Sequence, residues 1–323
     1  MKNPKIIIWG YPLYSHTHSY IHQGFYEAFK HLGYETYWFH DGDYPLDFDF
    51  SNCIFWTEGY ADKNIPLVET SIYFVHVCPS PKKYIDSKVK FIDVRTNSIW
   101  INDHVYSYTM DKDNLEKLGP VCYFQKATKD RVRVKNNYFD YEIEDYDKLY
   151  ISWATNLLPF EFNFNDIYHE RENKIYFCGN LSAGGVCENY STFSKFIDEC
   201  KNSGIDFIVN NPWTNPLSKE EVIGRTKISI LGADVRGPEH IRNGYVPCRI
   251  MKSMSYGHLG MTNSPEVFKE LDEYCLFDED PAKLFHLAME KRQDYDFIKK
   301  GMAYIQENHT YINRVKSIMK IIN

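Results

Sequence analysis

Arg249 lies in the stretch NGYVPCRIMKSMSYGHLGMTN (residues 243–263), two positions after Pro247, where the pattern predicts a helix over 248–256 closed by Gly257. A proline fits a first helical turn without losing a hydrogen bond. The free backbone amides and the dipole of that turn favour an anion. A guanidinium beside them can clamp phosphate oxygens in bidentate fashion. The predicted chemistry is therefore recognition of a phosphate or pyrophosphate. Lys252 follows one turn later and can assist or face solvent. Arg236 and Arg242 flank the preceding loop, and Tyr245 lies just before the helix. Asn263 and Ser264 stand where a short strand, HLGMT, gives way to a helix opened by Ser264-Pro265. The competing reading of Arg249 is a surface arginine paired with a nearby acid.

Three further stretches carry candidate chemistry. CGNLSAGG (178–185) follows a strand, and Gly179, Gly184 and Gly185 permit close backbone approach while Asn180 can bond a ligand oxygen. With neither a Walker A lysine nor G-x-G-x-x-G present, an ordinary turn is the rival. Trp213 in NNPWTN offers a stacking face for a base, or packs on its own domain. The loop GYPLYSHTHSYIH (10–22) holds His16, His18 and His22. Imidazole titrates near neutrality and suits removal of a hydroxyl proton. The spacing is also ligand-like for zinc, but no fourth ligand is signalled, so no metal site is expected. In HDGDYP (40–45), Asp41-Gly42-Asp43 matches a metal-binding D-x-D and equally a glycine-flanked turn. Asp43 or Glu58, at strand ends, can bind acceptor hydroxyls or act as a base.

These residues need a frame. KIIIWG (5–10), YETYWF (34–39), NCIFWT (52–57) and SIYFVHV (71–77) read as buried parallel strands. Between the first two, Ile21, Phe25, Ala28, Phe29 and Leu32 form one helical stripe that stops at Gly33. A hairpin round Asn102-Asp103 interrupts the series, and LYISWATNLLPFEFNF (149–164) is a last strand leading into a connector. A second series starts with KIYFCG (174–179), a helix ending at Gly204, and IDFIV (205–209). The capping box SKEE (218–221) opens a helix, KISIL (227–231) reads as a strand, and Asp280-Pro281 starts another helix. Val315, Ile318, Met319 and Ile322 line a closing helix. The pattern predicts an α/β chain with βαβ-type domains at 1–155 and 156–305. A C-terminal helix, 306–323, would pack back on the first domain.

Composition limits the partners. At 323 residues, 43% apolar and 25% charged, the chain is globular and long enough for two cores. A net charge of −7 without a basic stripe argues against nucleic acid. No run is long enough for a membrane span or signal peptide. Eight cysteines without a C-x-x-C pair fit free thiols in a reducing cytoplasm, the expected location.

At residues 174–295 the chain resembles the donor-binding half of GT-B glycosyltransferases. YVPCRIMKSMSYG is most similar to the subset with a basic residue on this helix, namely the fucosyltransferase-like, exostosin-like and CgeB-like families. The resemblance implies two Rossmann-like domains facing across a cleft, with the nucleotide diphosphate held by Arg249 and the GNLSAGG turn beside the phosphates. The expected donor contacts are Arg249, Lys252, Gly179, Asn180, Gly184, Arg236, Tyr245, Asn263 and Ser264. Measured back from Gly33, His18 falls where inverting members place a histidine, so His18 and Asp43 are the expected catalytic residues. Lys252 stands where many retaining members have a glutamate, which leaves the stereochemistry open. The implied activity moves a sugar from a UDP- or GDP-linked donor to a glycan or other hydroxyl acceptor, with no cofactor required. The alternatives are a sugar-nucleotide epimerase of the UDP-GlcNAc 2-epimerase kind and a non-catalytic nucleotide-sugar or glycan binder.

Overall fold

In the computed structural model, which describes residues 3–96, 114–135, 139–179, 181 and 190–322, the first apolar run is an interior strand of the largest sheet. Chain contacts define two units, Met1–Ser152 with Ile312–Asn323, and Trp153–Tyr311. The expected hairpin round Asn102-Asp103 lies outside the described residues.

The first unit is built on β1 (Lys5–Trp9), α1 (Thr17–His31), β2 (Thr36–Phe39), β3 (Cys53–Glu58) and β4 (Ile72–His76). It continues through α2 (Lys82–Asp86), β5 (Lys90–Arg95), β6 (Glu116–Gly119), β7 (Cys122–Gln125), β8 (Arg131–Lys135), β9 (Asp140–Glu144) and β10 (Asp147–Ile151). Every residue of β3 and β4 is buried, as strands covered on both faces require. The eight-stranded sheet has the order β2-β1-β3-β4-β5-β10-β7-β6, parallel from β2 to β10 and antiparallel beyond it. Sequence order reverses between β1 and β3, the switch point of a doubly wound sheet, and ligands bind beyond the strand ends there. On α1, Ile21, Phe25, Ala28 and Phe29 are buried. Phe25 lies 3.9 Å, centroid to centroid, from Trp56 of β3. Ile21, Phe25 and Phe29 each contribute roughly 1.5–3 kcal/mol by leaving water. Gly33 ends the helix turn at φ 84°. β8 and β9 form a separate hairpin.

The second unit begins with the 3-10 turns Pro159–Glu161 and Phe164–Tyr168 and β11 (Lys174–Cys178), and runs through α3 (Tyr190–Asn202), β12 (Asp206–Asn210), α4 (Lys219–Ile228) and α5 (Pro238–Arg242). It then has α6 (Cys248–Ser255), β13 (Gly260–Thr262), α7 (Pro265–Leu271), β14 (Cys275–Phe277), α8 (Pro281–Lys291) and α9 (Tyr295–Asn308). β11 pairs in parallel with β12, and β13 with β14. Phe177, Phe193, Phe196, Leu231, Met261 and Phe285 share its main core.

The segment 227–231 is not a strand. The Ser218–Glu221 capping box, reciprocal as expected, carries α4 through Lys227 and Ile228. From Ser229 the chain runs extended but without a ladder. Ser229 Oγ accepts the amide of Tyr176 at 3.0 Å, and the Ile230 amide donates to the Lys174 carbonyl at 2.8 Å. Leu231, Ala233 and Val235 alternate into the core. Asp234 and Arg236 are left on the other side of the chain, which becomes important below. Pro247 is the N-cap of α6 and not its first helical residue.

The closing helix, α10 (Tyr311–Ile322), belongs to the first unit from Ile312 onward. It is held by the buried Arg314, whose guanidinium donates to the Ser152 carbonyl and Oγ, both at 2.9 Å, and to the Pro120 carbonyl at 3.2 Å. Among the described residues no helix is long and apolar enough to cross a membrane.

Candidate functional site

Two clusters of chemically capable side chains lie at strand ends, one in each unit. In the second unit, Arg249 in the first turn of α6 reaches back over the end of β11. Its guanidinium lies 3.9 Å over the Phe177 ring, and Nε donates to the Cys178 carbonyl at 3.4 Å. A Cβ on Gly179 would fall 2.3 Å from Arg249 Nη2, so only glycine lets the cation rest against this backbone. Arg236 approaches from the extended segment before α5. Its Nη2 donates to Oδ1 of the fully buried Asp234 at 2.5 Å, and Arg249 Nη1 stands 3.7 Å from that same oxygen.

Two guanidinium groups thus share one carboxylate oxygen in a desolvated place. Burial and the charge of Arg236 pull the Arg249 pKa down to about 10, and Asp234 offsets only part of this. Arg249 Nη1 and Arg236 Nε have no hydrogen-bond acceptor among the described residues, nor do the buried Nδ1 of His240 and Oγ of Ser264 have a partner there. His240, on α5, is held neutral with its pKa near 3 by burial and then by the two arginines. It lies 5.2 Å, ring to ring, from Tyr245, and the Arg236 guanidinium is 5.7 Å from that same tyrosine ring. Burial pushes the Tyr245 hydroxyl up to about 12. Asn263 does not face outward: its Oδ1 accepts the Arg236 amide at 2.6 Å and its Nδ2 donates to the Arg236 carbonyl at 3.0 Å. It therefore positions Arg236. An excess of fixed cationic donors over acceptors is the arrangement that receives an anion.

Of the expected donor contacts, Arg249, Gly179, Arg236, Tyr245 and Asn263 come together here. Lys252 follows one turn along α6, and its charge is felt at Cys178 alongside that of Arg249. Asn180 and Gly184 lie outside the described residues. Arg242 is engaged at the surface, donating to Glu239 at 2.6 Å. Trp213 is exposed in the loop after β12.

In the first unit the cluster stands at the switch point. His16 caps α1, its Nδ1 accepting the amide of His18 at 3.2 Å. His18 Nδ1 lies 2.6 Å from Oε2 of Glu58, which is only 2% exposed at the end of β3. With Nδ1–H donated to the carboxylate, the other ring nitrogen keeps its lone pair, as in a base held by an orienting acid. Burial, and then Glu58, raises the pKa of the nearby Tyr11 to about 12. Deeper still, His22 of α1 and His76 at the end of β4 are both buried, with their Nε2 atoms 2.8 Å apart. Burial lowers the His22 pKa to about 3 and that of His76 well below 6.5, so both stay neutral at pH 7. Two sets of possible metal ligands share Glu58: His16, His18 and Glu58, and His22, Glu58 and His76.

Asp43 is exposed on a tight turn in which His40 and Asp43 exchange backbone hydrogen bonds. The Asp41 carboxylate accepts from Trp9 Nε1 at 3.0 Å and from the Lys63 and Asn64 amides at 2.9 Å, which uses it to fasten this turn. Neither residue belongs to the ligand sets around Glu58. Sequence reasoning missed Asp234, His240 and His76. For His76 a signal existed, because SIYFVHV is an apolar run with one polar residue near its carboxyl end, where open α/β sheets place function.

Compared with protein-family models and with curated protein sequences, the chain matches none.

Proposed function

We propose that the protein is a glycosyltransferase with the division of labour of GT-B enzymes. The second unit holds the diphosphate of a nucleotide sugar, and the first unit activates an acceptor hydroxyl. One observation carries the reading: Arg249 and Arg236 share a single oxygen of buried Asp234, which leaves cationic donors beside Gly179 without an acceptor among the described residues. A nucleoside diphosphate supplies the missing negative charge, and on departure it gains more charge, which the same donors stabilise. His18, fixed by Glu58 at 2.6 Å, takes the acceptor proton as the sugar transfers.

The test is a thermal-shift screen against UDP, GDP, CDP and their sugars, followed by a transfer assay with the best donor. A ligand that binds the folded state raises its melting temperature. One nucleoside diphosphate should do so, and Arg249→Ala should remove the shift. His18→Ala should retain the shift and lose turnover by two or more orders of magnitude. No shift with any nucleotide would remove the reading. Turnover of the nucleotide sugar with no acceptor present would favour the epimerase.

A further inference from the structure

Four histidines and one acid converge at the switch point of the first unit, and the acceptor-activating dyad uses only His18 and Glu58. The inner pair has no part in that chemistry. His22 and His76 are fully buried, and their Nε2 atoms face each other at 2.8 Å. His22 Nδ1 has no hydrogen-bond partner among the described residues. The pocket wall near it is fixed by glycine, because a Cβ on Gly10 would meet His22 Nδ1 at 2.0 Å. Trp38 and Trp56 lie beside the pair, with ring centroids 6.3 Å from His22 and 6.2 Å from His76. Burying His22 with its Nδ1 unpaired is an expensive way to fill an apolar core, since a polar ring buried with incomplete hydrogen bonding costs roughly 1–3 kcal/mol.

We propose that His22, His76 and Glu58 form a binding site for one divalent transition-metal ion of the zinc class. One donor atom from each lies within 4.8 Å of the others, all three side chains are buried, and they come from regular elements, α1, β3 and β4. Two neutral imidazoles and a carboxylate are a common three-ligand set for Zn²⁺, at about 2.0–2.2 Å from the ion. The tetrahedral edge at such bond lengths is ~3.3 Å, so the two Nε2 atoms must part by about half an ångström. Both rings coordinate as neutral imidazoles protonated at Nδ1. The proton now held between the two Nε2 atoms therefore moves to a ring Nδ1, and no proton has to leave. The donor set carries one negative charge, which a divalent cation more than answers. His18 stays outside the set, holding Glu58 Oε2 as metal-bound carboxylates are commonly held by an outer hydrogen bond. The outer alternative, His16, His18 and Glu58, has two half-buried histidines where the inner set is buried throughout. The inner site does not depend on the donor reading, which concerns the other unit.

The test uses the whole protein, stripped with a chelator and titrated with Zn²⁺, Co²⁺ and, as a control, Mg²⁺. Isothermal calorimetry should give one Zn²⁺ per chain with micromolar or tighter Kd. Co²⁺ should give visible absorption bands of a low-coordinate site, and Mg²⁺ should not bind, because it prefers oxygen ligands. His22→Gln and His76→Gln should each weaken Zn²⁺ binding at least a hundredfold, while His16→Gln changes it less than threefold. Should either inner variant fail to fold, Glu58→Gln and the wild-type Co²⁺ spectrum decide the matter. Absence of Zn²⁺ and Co²⁺ binding by the folded wild type overturns the site, as does binding that survives loss of both inner histidines.

Discussion

Replacing Arg249 by methionine separates a residue kept for binding from one kept for stability. Methionine preserves the apolar stem over Phe177 and removes the charge. In the folded chain burial pulls the guanidinium pKa down to about 10, well below its ordinary value, and each pKa unit is worth about 1.4 kcal/mol, so keeping it charged costs on the order of 3 kcal/mol. A fifth of the side chain remains exposed, which screens part of this. Against the gain stands the lost cation–π contact with Phe177, about 1 kcal/mol. Asp234 keeps its close partner Arg236 at 2.5 Å, so no buried charge is orphaned. Arg249→Met should therefore leave the ligand-free melting temperature unchanged or raise it by a few degrees. Binding should respond in the opposite direction. Losing a bidentate, charge-assisted clamp costs about 3 kcal/mol, roughly a hundredfold in Kd. At a nucleotide concentration of 100 wild-type Kd, ligand stabilisation falls from about 2.7 to about 0.4 kcal/mol. Differential scanning fluorimetry with and without the nucleotide, backed by calorimetric titration, reads both quantities. A melting temperature several degrees lower together with an intact nucleotide shift would refute the reasoning and make Arg249 a structural residue.

Two further predictions concern the frame around that site. Gly257 ends α6 at φ 87°, and a Cβ there would meet the Asp166 carbonyl carbon at 2.7 Å and the Ile167 nitrogen at 2.9 Å. Gly257→Ala should cost about 2–4 kcal/mol in chemical denaturation, whereas Gly204→Ala, at φ 68° with open space around it, should cost only about 1 kcal/mol. Equal losses would show that the backbone contact with Asp166 is unimportant. His258 is buried, donates to the Thr226 carbonyl at 2.7 Å, and stays neutral down to a pKa of about 3, chiefly because it is desolvated. Its pKa is lower when folded than when unfolded, so unfolding takes up a proton between pH 6.5 and about 3. Stability is therefore fully present above pH 6.5 and falls as the solution is acidified, by up to about 1.4 kcal/mol per pH unit. Urea melts from pH 7 to 4 should show a shallower decline for His258→Gln, and parallel curves would contradict this.

Local signals made much of the frame legible. Apolar β-branched runs gave β1, β3 and β4, and Ser218 with Glu221 marked the start of α4. The error at 227–231 has a physical cause. KISIL has strand composition, but a capped helix already extended into Lys227 and Ile228, and a serine hydroxyl then took the place of a ladder bond. At the site, sequence could place Arg249 at a helix start and Gly179 after a strand. It could not show that one lies against the other, 70 positions apart, because that depends on how β11 and α6 pack. The histidine loop was visible for the same local reason. Glu58 stood out as a strand-end acid, but its pairing with His18 and the presence of His76 did not, because parallel pairing of β1, β3 and β4 is what brings three distant strand ends to one place.

The charge balance of the two clusters differs in a way that stability alone does not explain. Around Asp234, among the described residues, one carboxylate answers two guanidinium groups, and a fold selected only for stability would replace Arg249 by an apolar side chain of similar length. Gly179 sharpens the point. A Cβ there would meet Arg249 Nη2 at 2.3 Å and displace it, so the backbone forgoes a side chain where the cation lies. Around Glu58 the balance runs the other way, with neutral imidazoles gathered about a single buried acid. A cationic surplus suits an anion of high charge, and a set of neutral nitrogen donors with one carboxylate suits a cation. Each cluster is incomplete in the sense opposite to the other, and each incompleteness specifies the ligand chemistry that would complete it.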